Sequence, residues 1–169
     1  MPAPDALFKP EAFVAEIGHK SGHSHALIGL APGTKTIGVA ISDAGWTLAR
    51  PVETMRRTKM AADASTLQRL IDRENIAGLV IGMPYNMDGS AGPRAQSVRA
   101  FRRALADYID LPMLFWDERL SSEAAKETLT EAGHSARNSQ ERIDAAAAAH
   151  ILTDCLATLR DERDKQIKP

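Results

Sequence analysis

The sequence predicts an α/β domain built on a mixed five-stranded sheet with helices on both faces. Three observations point there. A glycine-containing turn, Pro32-Gly33-Thr34-Lys35, joins two apolar runs in the stretch Leu27–Asp43, which reads as a β-hairpin. Residues from Trp46 to Met55 read as a third strand, close enough in sequence to pair antiparallel with the second. Beyond it, apolar strand-like runs alternate with helical spacings, the pattern of parallel strands joined by right-handed crossovers.

Each element has its own signal. Residues 1–24 carry Pro4 and Pro10 and lead into a His19-Lys20-Ser21-Gly22-His23-Ser24-His25 run, and are expected to be a loosely held, solvated arm. Within it Phe8, Phe13, Val14 and Ile17 could pack as one helical turn or two. In the hairpin, Ile37, Val39 and Ile41 alternate with smaller residues. Pro51 marks the third strand as an edge or a bend. Ala64, Leu67, Leu70 and Ile71 recur at helical spacing within Ala61–Glu74. The unbroken run Gly78–Met83 suits a strand buried on both faces. After a loop from Pro84 to Pro93, Ala95, Val98, Phe101, Leu105 and Ile109 line one face of a second helix. Pro112–Asp117 is a fifth strand, and Ser121–Ala132 a third helix closed by Gly133. A last helix spans about Ser139–Leu159, with Asn138 and Glu141 spaced as a capping box. Residues 161–169 read as a charged tail, leaving one domain over residues 25–160.

Bulk composition narrows the function. The 169 residues are 44% hydrophobic and 25% charged, as in an ordinary globular protein with a real core. Residues Met1–Asp5 lack the basic start and apolar run of a signal peptide, and the apolar stretch Ala145–Leu152 is too short to cross a bilayer. The single cysteine, Cys155, excludes an internal disulfide and suits a reducing cytosol, so a cytoplasmic location is expected. The net charge of -1 is not that of a generally basic nucleic-acid binder, so such binding would need a local basic face. Arg50, Arg56, Arg57 and Lys59 form one such cluster, and Arg94, Arg99, Arg102 and Arg103 another. Tyr85 is the aromatic best placed for base stacking, whereas Trp46 and Trp116 are expected to pack.

Three separated stretches carry chemistry. The first is Gly29-Leu30-Ala31-Pro32-Gly33-Thr34-Lys35-Thr36-Ile37-Gly38-Val39-Ala40, followed by Ser42-Asp43. The second is the loop Gly82-Met83-Pro84-Tyr85-Asn86-Met87-Asp88-Gly89-Ser90-Ala91-Gly92-Pro93-Arg94-Ala95. Asp88-Gly89 is a turn signal, Ser90 a candidate N-cap, and free amides at a helix start attract phosphate, with Arg94 adding a charged fork. The third pairs Asp117-Glu118-Arg119-Leu120-Ser121-Ser122 with Asp144-Ala145-Ala146-Ala147-Ala148. Taken alone, Glu118 is a solvated strand end and Asp144 an exposed helix residue. Matching in order, the stretches resemble the YqgF family, also described as Holliday-junction resolvase-like proteins and pre-16S rRNA nucleases, over about Leu27–Leu156.

The resemblance implies a ribonuclease H-like fold and a hydrolase acting on phosphodiester bonds. It implies a catalytic set of Glu118, Asp144 and position 31, and Mg²⁺ or Mn²⁺ held by Glu118 and Asp144, with Asp43 a further candidate ligand. Carboxylates gathered from strand ends and a helix repel one another unless a hard cation joins them, and two such ions stabilise attacking and leaving oxygens in phosphodiester cleavage. Lys35, Arg94, Arg119, Asn86 and Ser90 are implied nucleic-acid contacts. The implied substrate is precursor 16S ribosomal RNA, with branched DNA the older proposal, acted on by a monomer or homodimer and without a membrane. One position departs from the family pattern: its aspartate is Ala31 here. A methyl group binds no metal, so this chain is expected to cleave poorly or not at all. A non-catalytic nucleic-acid binder on the same scaffold is the alternative. A phosphotransferase of the actin and sugar-kinase type shares a similar hairpin but needs two such domains.

Overall fold

The computed structural model describes residues 9–22, 25–118 and 139–167. In chain order these form α1 (Pro10–Ser21), β1 (Ala26–Pro32), β2 (Thr36–Ser42), β3 (Ala49–Arg56), α2 (Met60–Glu74), β4 (Ile76–Met83), α3 (Pro93–Ala106), β5 (Met113–Asp117) and α4 (Ser139–Ile167). The helix expected over Ser121–Ala132, its stop at Gly133 and the Asn138 cap lie outside the described residues, as do Phe8, His23 and Arg119.

The five strands lie in the order β3-β2-β1-β4-β5. β1 pairs antiparallel with β2, and β2 with β3. β4 pairs parallel with β1, and β5 parallel with β4. The expected mixed sheet is therefore present, with its first three strands antiparallel. The hairpin turn is closed by the Gly33 amide donating to the Thr36 carbonyl at 2.7 Å. At the β3 edge the register shifts between Val39 and Ala40, which face Glu53 and Pro51. Pro51 thus sits beside a bulge on an edge strand, where its missing N–H is tolerated.

Alternation along the strands builds two cores. Ile28, Leu30, Ile37, Val39, Ile41, Leu79 and Ile81 pack beneath α2 and α3, which contribute Leu67, Leu70, Val98, Phe101 and Leu105. Leu27, Val80 and Leu114 face the other way, against Phe13, Val14 and Ile17 of α1 and Ile151, Leu152, Cys155 and Leu159 of α4. Helices therefore cover both faces. Every residue of β4, an interior strand between β1 and β5, is buried, which is why its sequence shows no polar alternation.

Two expectations about the ends are corrected. The N-terminal arm is not loose over its second half: α1 is a three-turn helix whose Phe13, Val14 and Ile17 are buried against α4. The charged C-terminal stretch is not a separate tail either, because α4 continues to Ile167. Apolar periodicity stops near Leu159, but polar anchors carry the helix on. Arg160 and Arg163 donate to the carbonyls of Trp46 and Gly45, and Gln166 donates to that of Glu11. The third strand also begins later than expected, at Ala49. Trp46 instead sits fully buried in the preceding turn at φ 60°, its indole N–H donating to the His25 carbonyl.

Candidate active site

β1 and β4 run in the same direction, so their C-terminal ends lie at one edge of the sheet. β2 starts there and runs away. Ala31, near the end of β1, faces α4 and packs against Ala40, Ala148 and Ala149. Asp144 enters the same region from α4. Its Oδ2 accepts a 2.7 Å hydrogen bond from the hydroxyl of Thr36, the first residue of β2. One carboxylate oxygen of Asp144 is thereby oriented by the sheet.

Glu118 arrives from the far side. Leu114 and Trp116 belong to the α4 side of β5, and Glu118 follows with the same parity. Its side chain lies over Gly82 of β4: a Cβ built on Gly82 would meet Glu118 Oε1 at 2.8 Å. Glycine at 82 is therefore what makes room for this carboxylate. Burial pushes the Glu118 pKa up, the neighbouring Asp117 adds to that, and Arg94 opposes it. Arg94 also lines a cleft with Asp144, so its charge acts on Glu118 from the cleft that holds Asp144. The structure thus brings Glu118, Asp144 and position 31 to the same end and the same face of the sheet.

The cleft has a volume of about 690 Å³ and is lined by Gly33, Thr34, Lys35, Thr36, Arg56, Arg57, Arg94 and Asp144. Four cations thus surround one carboxylate. Lys35 and Arg94, two of the expected nucleic-acid contacts, both line this cleft. Sequence reasoning missed Thr36, whose bond to Asp144 joins residues 108 positions apart. No local spacing reveals such a pair.

Several expected residues serve other ends. Asp43 is at the opposite end of β2 from Thr36, about 20 Å away at the usual rise per strand residue, and the structure does not bring it to the site. Its carboxylate instead caps a turn, accepting from the Thr47 amide and hydroxyl and the Leu48 amide. Slight burial works against ionisation there, but those hydrogen bonds outweigh it and bring the pKa to about 2. Ser90 is not the N-cap of α3: Gly92 is, with Pro93 in the first turn. The Ser90 hydroxyl donates to Asp88 Oδ1 and accepts from the Asn86 side-chain amide. Asn86 and Ser90 therefore stiffen their own loop. Tyr85 is half-buried and packs against the main core. Arg50 pairs with Glu74 at the other end of the sheet, so the first basic cluster is split.

A mixed sheet in this strand order, with helices on both faces, defines a ribonuclease H-like fold. The solved structure "T. thermophilus RuvC in complex with Holliday junction substrate" shares the fold, with a TM-score of 0.53 at 13% identity, over 79% of this chain and 94% of that one. A family profile described as "RuvX: Holliday junction resolvase" matches residues 25–158. A relative from Chelativorans sp. (strain BNC1), named "Putative pre-16S rRNA nuclease", is 48% identical over 147 residues, covering 87% of this chain and 92% of the relative. One of the same name from Cereibacter sphaeroides (strain KD131 / KCTC 12085) is 51% identical over 134 residues, covering 79% and 84%. The chain belongs to the RuvX family, the one resembled above under the name YqgF.

The donor set can be compared with the cation that such a family implies. Hard divalent ions take carboxylate and water oxygens, and Glu118 and Asp144 supply the former. Among the described residues, no group of three or more His, Cys, Asp or Glu could hold an ion. Glu118 and Asp144 offer oxygens of the kind such an ion takes, and Ala31 leaves the set one carboxylate short of the family pattern.

Proposed function

We propose that this chain is a hydrolase acting on precursor 16S ribosomal RNA, working slowly through Glu118 and Asp144 because position 31 lacks its carboxylate. The observation that carries this reading is the shared placement of both carboxylates at one end of the sheet, with Arg94 acting on Glu118 from the cleft that holds Asp144. The names of the relatives support the RNA substrate, and the family description keeps branched DNA as the second substrate.

The roles follow from the geometry. Asp144, positioned by the Thr36 hydroxyl, accepts the proton of the attacking water. Arg94 offsets the negative charge that builds on phosphate in the transition state. Lys35 holds the adjoining backbone. Mg²⁺ or Mn²⁺, held by Glu118 and Asp144, would supply charge neutralisation when bound. Removing one preorganised electrostatic group from such a site costs on the order of 10²–10³ in rate, which is the deficit assigned to Ala31. A cytoplasmic site of action fits this substrate. Among the described residues, no helix is long and apolar enough to cross a membrane.

One feature favours a second reading. Ala31 removes a negative charge next to a cleft with four cations, which suits binding without hydrolysis. A cleavage assay decides, offering precursor 16S RNA and a four-way DNA junction to the chain and its Ala31→Asp variant, with and without Mg²⁺. Mg²⁺-dependent cleavage of the RNA, faster by about 10²-fold in Ala31→Asp, supports the nuclease. Equal inactivity in both leaves the binding protein.

A further inference from the structure

We propose that Arg57 anchors a phosphate seat that holds the nucleic-acid backbone without a divalent cation and without reading bases. The proposal deepens the reading above and rests on it for the class of ligand; the seat itself is argued from the cleft.

Arg57 is fixed on three sides. Its backbone amide donates to the Lys35 carbonyl at 2.8 Å. One terminal guanidinium nitrogen donates to the Gly33 carbonyl at 2.6 Å. The guanidinium carbon stands 5.2 Å over the centre of the Phe101 ring, a stacking that suits arginine and not lysine. The hairpin turn and this side chain are thus one unit. An arginine whose fork is already ordered loses little entropy on meeting phosphate, and a guanidinium carries further N–H donors suited to a phosphate oxygen.

The surroundings define the ligand. Arg56, Lys35 and Arg94 line the same cleft, together with Gly33 and Thr34. Four positive charges against Asp144 favour a polyanion on electrostatic grounds alone. Among the described residues, the cleft has no aromatic face to offer a base. Phe101 is 3% exposed beneath Arg57, and Tyr85 packs against the core. Base stacking is the usual means of holding single strands; phosphate contacts position a duplex and carry no sequence information. The seat therefore takes the nucleic-acid backbone independent of its sequence.

Fluorescence anisotropy with labelled 20-base-pair RNA duplexes of two unrelated sequences, in EDTA across a salt series, tests this on the full chain. Both duplexes are expected to bind alike. Arg57→Gln should weaken binding about tenfold and flatten the log–log salt slope by about 0.9. Arg57→Lys should keep the slope but bind more weakly. Arg56→Gln, at an exposed position of the same cleft, repeats the loss should Arg57→Gln disturb the hairpin. Arg50→Gln removes the same charge at the other end of the sheet and should leave binding unchanged. The seat is overturned if Arg50→Gln weakens binding as much as Arg57→Gln and Arg56→Gln, if EDTA abolishes binding, or if one sequence binds more than tenfold better. Mg²⁺-dependent cleavage by the same proteins separates the two ideas. Cleavage with Arg56 and Arg57 dispensable for binding removes only the seat, and sound binding in EDTA with no cleavage by Ala31→Asp removes only the nuclease.

Discussion

Gly29→Ala tests how tightly the carboxylate helix is seated on the sheet. A Cβ at position 29 would lie 2.8 Å from the Ala148 carbonyl oxygen and 2.9 Å from Leu152 Cβ. Ordinary contacts of this kind begin near ~3.5 Å. Neither obstacle can swing aside, because one is backbone and the other is bonded to it. α4 must therefore lift by roughly 0.6 Å or more to restore that separation. Overpacking of this sort costs about 2 kcal/mol, which in a protein of this size lowers Tm by about 4–8 °C. The same lift acts on Asp144, one turn before Ala148. Its 2.7 Å bond to Thr36 is stretched, so the site loosens as the fold weakens. Thermal denaturation by circular dichroism, with cleavage measured well below Tm in an Ala31→Asp background, reads both effects. A melting point within about 1 °C of the parent, with cleavage unchanged, would refute the close packing of α4 on β1.

Other perturbations separate fold from site. Thr36→Val removes the hydroxyl that orients Asp144 and should slow cleavage by Ala31→Asp about tenfold, the usual worth of a hydrogen bond to a charged group, with KM unchanged; Thr36→Ser should restore the rate. Asp43 ionises more readily in the folded chain, so its contribution to stability is complete above its ordinary pKa of 3.8 and is lost as pH falls toward about 2. Asp43→Asn should remove that loss from acid-denaturation curves, lower stability slightly at neutral pH, and leave cleavage untouched, since the residue lies at the other end of β2.

Much of the fold was legible because local signals and tertiary packing agreed. The hairpin announced itself through alternation around Gly33, and β4 through an unbroken apolar run that only a strand covered on both faces needs. α1 was less visible. Its few apolar residues are interrupted by charge, and they matter because α4 extends far enough to offer them a partner. The last turns of α4 were invisible for a related reason: they are held by arginines and a glutamine reaching backbone carbonyls, which leaves no apolar period to read. Glu118 and Asp144, which the structure brings to one end of the sheet, were singled out through their motifs. Thr36 was not, since its significance arises only when α4 crosses β2. Asp43 was misplaced as a candidate ligand although strand direction already excluded it. In a hairpin whose first strand ends at the site, the second must finish at the opposite edge.

Calorimetric titration of Mn²⁺ into the chain and into its Ala31→Asp variant addresses the shared site most directly, since it needs no substrate. Weak binding by the chain, at least tenfold tighter binding by Ala31→Asp, and loss of that gain in Ala31→Asp/Glu118→Gln are the results expected of carboxylates meeting at one edge of the sheet. Equal affinity with alanine or aspartate at position 31 would contradict it.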